Sequence, residues 1–260
     1  MKKLLPIIFS TFLLFSSVGV ASASSVVPQE VEESSNVAVS QDEINNLYID
    51  QLDRLADYVK SNNHEDVSKS VSDFLSQDTL KNNDELKTYF NQKSKKLNIL
   101  SQKPKEEVAL KSIEIDAKTI LTTYDDGTLS ITKTTMEPVS NSTLATYTKW
   151  GQSTKDYYSI VGMKLFTIAV GIECYCDGTK ASPTGIDKGF YERGFLSVWQ
   201  VSDWKFEKQA FYQTDYGAYV QGNFHYGFEV EGVGIVIQDK FIKHQVIIHK
   251  DCSVSTSNNF

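Results

Sequence analysis

The chain has 260 residues, 33 acidic against 26 basic side chains, and a formal net charge of −7. A hydrophobic content of 40%, with 12% aromatic residues and only 5 prolines, excludes wholesale disorder. The acidity excludes a chain built to neutralise nucleic-acid phosphates, and with Arg54 and Arg193 as the only arginines, bidentate phosphate or base clamps are scarce too.

Residues 1–23 have the makeup of a secretory signal peptide: Lys2 and Lys3, an apolar run from Leu4 to Phe15, then Ala21-Ser22-Ala23. Small residues at these positions place cleavage between Ala23 and Ser24. The apolar run falls short of the roughly 20 residues that a spanning helix needs. The expectation is a secreted, extracellular protein with no stable membrane span after signal removal. Residues 24–40, rich in Ser, Val and Glu without a period, read as a flexible leader.

A helical, acidic region follows over 41–105. Ser40 with Glu43 forms a capping box, and Ile44, Leu47, Tyr48, Leu52, Leu55 and Val59 fall on one stripe. A second helix is predicted from His64 to Gln77, presenting Val67, Val71, Phe74 and Leu75. A third, from Asp84 to Lys95, offers Leu86, Tyr89 and Phe90. Such short helices are marginal alone and must pack on one another, on the rest of the chain or on a partner.

After Pro104 the period changes to two. Val108 to Ile115 alternates, and Thr119 to Tyr124 and Thr128 to Thr134 flank Asp125-Asp126-Gly127, a hairpin signal. A calcium-loop reading of that turn fails for want of further spaced oxygen ligands. Residues 106–142 therefore read as a β-hairpin connector, and 143–260 as an antiparallel β-sandwich or barrel domain. In Met163 to Cys176 the even positions from Phe166 to Cys176 share a face. Further strands are predicted at Tyr191–Val201, Trp204–Thr214, Ala218–Val230, Gly232–Asp239 and Phe241–Lys250. The fold class is α+β: short N-terminal helices, a hairpin, then the β domain.

Three cysteines in an exported chain leave one over. Cys174 and Cys176 are neighbours on one strand face, so the expected bridge joins one of them to Cys252, closing a loop of about 76 residues; the alternative is no bridge at all, as in many exported Gram-positive proteins. No metal site is expected, since the Cys pair lacks further ligands, and no cofactor motif is present. His64, His225, His244 and His249 read as solvated or locally bonded side chains. Glu229 and Glu231 share a strand face, but two acids on a wet face are ordinarily solubilising. No nucleophile elbow, zinc-protease helix, Walker loop or dinucleotide fingerprint occurs.

The aromatic residues are concentrated in the β part, where any exposed remainder forms a surface for sugar rings or a protein. Trp204, set in a connection, is the candidate for exposure, with Tyr212, Tyr216 and Tyr219 as further binding candidates. Residues 147–250 resemble uncharacterised secreted proteins of Gram-positive bacteria through Trp150–Tyr157, Leu196–Trp204, Gly222–Phe228 and Gly234–Asp239. That resemblance implies exported origin and a compact β domain, without an activity. Three functions compete: a non-catalytic domain binding a glycan, the cell wall or a protein; a bacteriocin-like or pore-forming effector with a helical pro-region; and a hydrolase with a scattered site.

Overall fold

A computed structural model describes residues 39–62, 66–96, 104–139, 147–195, 198–230 and 233–257, all within one unit, Ala38–Phe260. The expected cleavage positions Ala23 and Ser24, His64 and Glu231 lie outside the described residues.

Helix α1 spans Gln41–Asn62. Its start is the capping box the sequence predicts: Glu43 Oε2 accepts from the Ser40 N–H at 2.9 Å, and the Glu43 N–H donates to Ser40 Oγ at 3.2 Å. Helix α2 spans Val67–Gln77 and starts later than expected, because Asp66 caps it by accepting from the Ser68 and Lys69 N–H groups. A 3₁₀ turn over Thr79–Asn82 precedes α3, Asp84–Lys96. Asp78, which ends α2, is tied back to α1 by Arg54 Nη1 at 2.6 Å and Gln51 Nε2 at 2.8 Å.

One sheet is a six-stranded antiparallel meander: β2 (Ala109–Asp116), β3 (Thr119–Tyr124), β4 (Leu129–Pro138), β5 (Thr148–Tyr158), β6 (Lys164–Cys176) and β7 (Ala181–Arg193). The other joins β8 (Val198–Phe211), β9 (Asp215–Val230) and β10 (Gly234–Ile248) in antiparallel order. Its outer edge carries β11 (Val254–Ser257) and, in parallel with β10, the two-residue β1 (Lys105–Glu106). The two sheets face each other as a sandwich, mixed through β1 and not closed into a barrel.

Several strand boundaries move. The span 191–201 is broken between Arg193 and Val198, so β7 and β8 belong to different sheets. The spans 232–239 and 241–250 are one strand, whose register on β9 runs unbroken from Gly234 to Ile248. The hairpin of 106–142 is no separate connector. Strand β4 pairs with β5 from Leu129↔Tyr158 to Pro138↔Lys149, so the segment supplies three strands of the meander.

The core sits between the sheets and continues beneath the helices. Phe166 of β6 stacks on Phe224 of β9 and meets Tyr157 of β5 at a tilt, each at 4.6 Å between ring centroids. On the opposite face of the meander, Leu121, Leu129, Ile131 and Tyr158 meet Leu52, Leu55, Val59, Val71 and Leu75. The helices therefore share a buried core with the sheet, which removes the marginality of short isolated helices. Gly127 takes a left-handed backbone (φ 82°) in the β3–β4 turn, and a Cβ there would come within 2.8 Å of the Tyr48 hydroxyl. Glycine is required on both counts.

The sheets are also joined covalently, since Cys176 at the end of β6 bridges to Cys252 beyond β10. Cys174 is the cysteine left over; it is buried, and desolvation pushes its thiol up to about 12. It acts as a small apolar core residue.

Candidate functional site

The four aromatic candidates do not form one surface. Trp204 is not in an exposed connection; it lies in β8 at a register shift between Ser202 and Lys205. There it is half-buried against Tyr191, at 4.8 Å between ring centroids, and Phe224, over a space left by Gly222. The bulge, with Asp203 at φ 54°, turns the indole inward, a placement no local pattern encodes. Tyr216 is half-buried beside the disulfide end of the core. Tyr219 is on the outer face of β9, where its hydroxyl donates to Glu207 and Lys243 Nζ lies 4.3 Å from its ring centroid. Tyr212 alone is freely exposed, at 88%, on the β8–β9 turn.

Among the described residues, Trp150 is an aromatic side chain that does sit in a groove. Register places Glu137 of β4, Trp150 of β5 and Glu173 of β6 side by side, on the face of the meander that carries the helices farther along. Together with Pro138, Val139, Ile186, Asp187 and Lys188 they line an open groove of about 450 Å³. The indole lies over Gly171 of β6, whose absent side chain makes the room, and its N–H donates to Gln152 Oε1 at 3.2 Å. Glu173 accepts from the Thr184 hydroxyl, and Asp187 pairs with Lys208. The floor is thus an aromatic face bordered by carboxylates, a combination that suits a ring with hydroxyls on its rim. Trp150 is visible in the sequence as one aromatic of the β part, but its two acidic neighbours lie 13 and 23 residues away along the chain.

A second constellation is buried between the sheets. Lys155 of β5 is fully buried and donates to Glu107 Oε2 at 2.9 Å, while Tyr157 donates to Oε1 at 2.8 Å. Lys240 of β10 lies 2.8 Å from Asp126 Oδ2 in the β3–β4 turn and 3.5 Å from Glu107. Burial alone would raise the Glu107 carboxyl, but attraction to Lys155 and Lys240 outweighs it and holds the group below its ordinary value of 4.5. Burial likewise works against Asp126, and Lys240 reverses the effect. Lys155 is pulled down by burial despite Glu107, whereas Lys240 ends up raised, because two carboxylates overcome its desolvation. Burial pushes the hydroxyls of Tyr124, Tyr157 and Tyr226 well up.

The sign of the resulting pH dependence follows from Glu107. A carboxyl depressed in the folded state contributes stability above its unfolded value, and that contribution disappears as pH falls through the folded value. The thermal midpoint is expected to fall as pH is lowered below about 4.5, and Glu107→Gln is expected to flatten that fall. Scanning calorimetry from pH 7 to 3 on both proteins checks this; parallel curves would refute it.

His244 departs from the solvated reading: it is fully buried and shares a 2.8 Å hydrogen bond with Ser153 Oγ across the sandwich. His225 is on the outer face, paired with Asp239, and His249 lies between Asp215 and Ser255. Among the described residues no group of three His, Cys, Asp or Glu side chains is placed to hold a metal. None of their helices is long and apolar enough to cross a membrane. Comparison with protein-family models, with curated proteins and with solved structures finds no match to this chain.

Proposed function

We propose that this is an exported, non-catalytic β-sandwich protein that holds a glycan of the cell envelope in the Trp150 groove. The observation that carries the reading is the indole face set between Glu137 and Glu173 in an open groove. A sugar ring stacks on such a face through its axial C–H groups, and flanking carboxylates accept from its hydroxyls. Export is supported by the signal-like composition of residues 1–23 and by the resemblance over 147–250. The shared core of helices and meander counts against the alternative of a removable helical pro-region, since removal would strip Leu121, Leu129, Ile131 and Tyr158 of their cover.

The test is retention of the purified protein on washed Gram-positive cell walls, with soluble glycan fragments from a muramidase digest as competitor. Wild type is expected to be retained and released by the fragments. Trp150→Ala is expected to weaken binding by about tenfold or more, as loss of a central aromatic anchor does. Failure of wild type to bind, or equal retention of Trp150→Ala, overturns the assignment.

A further inference from the structure

We propose that Lys240 and Asp126 condense spontaneously into an intramolecular amide that ties the two sheets together, with Glu107 as the proton carrier. The juxtaposition of three elements carries the inference. Strand β10 brings the Lys240 ammonium to 2.8 Å from Asp126 Oδ2. The β3–β4 turn presents Asp126 with its other oxygen, Oδ1, already accepting from the Thr128 N–H at 2.9 Å and the Thr128 hydroxyl at 2.6 Å. The segment between β1 and β2 inserts the Glu107 carboxylate 3.5 Å from the same ammonium.

Each part has a chemical role. Amide formation from an amine and a carboxylic acid fails in water because both groups are ionised and water is in vast excess. Here the side chains of Lys240 and Glu107 are 4% and 8% exposed, and the Lys240 ammonium lies 4.2 Å from the Tyr124 ring centroid and 5.6 Å from that of Tyr157. The site excludes the bulk water that opposes condensation, and fixed contact replaces diffusional encounter. Thr128 supplies two donors for the oxygen that becomes negative during addition, the arrangement of an oxyanion hole. Tyr226, donating to Asp126 Oδ2 at 3.1 Å, helps hold the departing oxygen.

The step balances without any outside reagent. The Lys240 ammonium passes one proton to Asp126 Oδ2, leaving a neutral amine and a carboxylic acid. The amine lone pair forms the Nζ–Cγ bond, and the charge moves to Oδ1. Glu107 takes a second proton from the nitrogen and delivers it to the Oδ2 hydroxyl. The Cγ–Oδ2 bond then breaks, and Oδ2 leaves as water carrying both protons. The amide nitrogen keeps the third hydrogen, and Glu107 returns to its carboxylate form, still paired with Lys155. Asp126, at 17% side-chain exposure, is the most open of the three. Among the described residues Lys155 pairs with Glu107 alone, so no second carboxylate is placed there to carry protons for a condensation.

Peptide mapping of the full chain by mass spectrometry, after reduction of the disulfide, tests the proposal. The expected result is a mass lower by about 18 Da, one water, than the reduced sequence requires from its observed N-terminus, together with a branched peptide joining the segments around Asp126 and Lys240. Lys240→Arg is expected to restore the full mass, and Glu107→Gln to leave most of the protein unlinked. The full sequence mass in the wild type overturns the proposal. So does a water loss without the branched peptide, or one that persists in Lys240→Arg, because Asp126-Gly127 could lose the same mass by closing a succinimide on its own backbone. Should a variant fail to fold, the branched peptide in the wild type decides the matter alone. Unchanged linkage in a folded Glu107→Gln removes Glu107 from the mechanism and overturns the proposal as stated.

Discussion

Glu107→Ala is expected to destabilise the protein by about 3–5 kcal/mol, a loss on the order of 10 °C in thermal midpoint for a unit of this size. The change leaves the Lys155 ammonium fully buried without the carboxylate it contacts at 2.9 Å, and it deprives Tyr157 of its acceptor. Buried ions are tolerated only as members of a satisfied set, and removal of one member transfers the full desolvation penalty to the others. The penalty, rather than the attraction, is what the substitution exposes. A control follows from the same argument. The double substitution Glu107→Leu with Lys155→Met removes both charges, and it is expected to recover a large part of the loss despite deleting more polar contacts. Chemical denaturation of the three proteins at pH 7 makes the comparison; a double variant as unstable as Glu107→Ala would refute the desolvation argument.

Loss of the disulfide is the second large effect expected. The Cys176–Cys252 bond spans 76 residues of chain, and in the loop-entropy treatment a link of that length restricts the unfolded state by roughly 4 kcal/mol. Cys252→Ser, or reduction of the wild type, is expected to lower the unfolding free energy by about that amount. Cys174→Ala is expected to cost less and to keep the full reductant effect of the wild type, because Cys174 is buried and unbridged and the Cys176–Cys252 bond remains. Unfolding of each protein with and without reductant distinguishes them. A reductant effect that survives in Cys252→Ser would assign the stabilising bond to another pair.

Both effects concern the seam between the sheets. The disulfide ties the end of β6 to the chain beyond β10, while the charged set ties the β3–β4 turn, β5 and the segment after β1 to β10. The Trp150 groove lies on the other side of the meander, assembled on a surface that this seam keeps in register. A groove made of one side chain from each of several strands keeps its geometry only while those strands stay in register.

Much of the architecture is local and was therefore legible in the chain. Helix α1, with its capping box and stripe, depends on contacts within four residues, and the β3–β4 hairpin depends on a turn whose glycine is visible as such. The inward face of β6 follows from alternation alone, and Cys252 as a bridge partner is an expectation that an odd cysteine count raises and the structure decides. What alternation does not carry is the pairing of strands. Lys155 meets Glu107 across 48 residues and Lys240 meets it across 133, so two lysines that look like ordinary polar positions become core residues. The same reason hid the groove, whose acids flank Trp150 only after β4, β5 and β6 align. It also misplaced Trp204, because a single bulge reverses the side of the sheet to which a residue points. Secondary-structure type and the cysteine count are properties of neighbouring residues or of composition, which the sequence by itself determines. The choice of Cys176 over Cys174, the burial of four charges and the assembly of the groove depend on contacts between distant residues, and only the tertiary structure decided them.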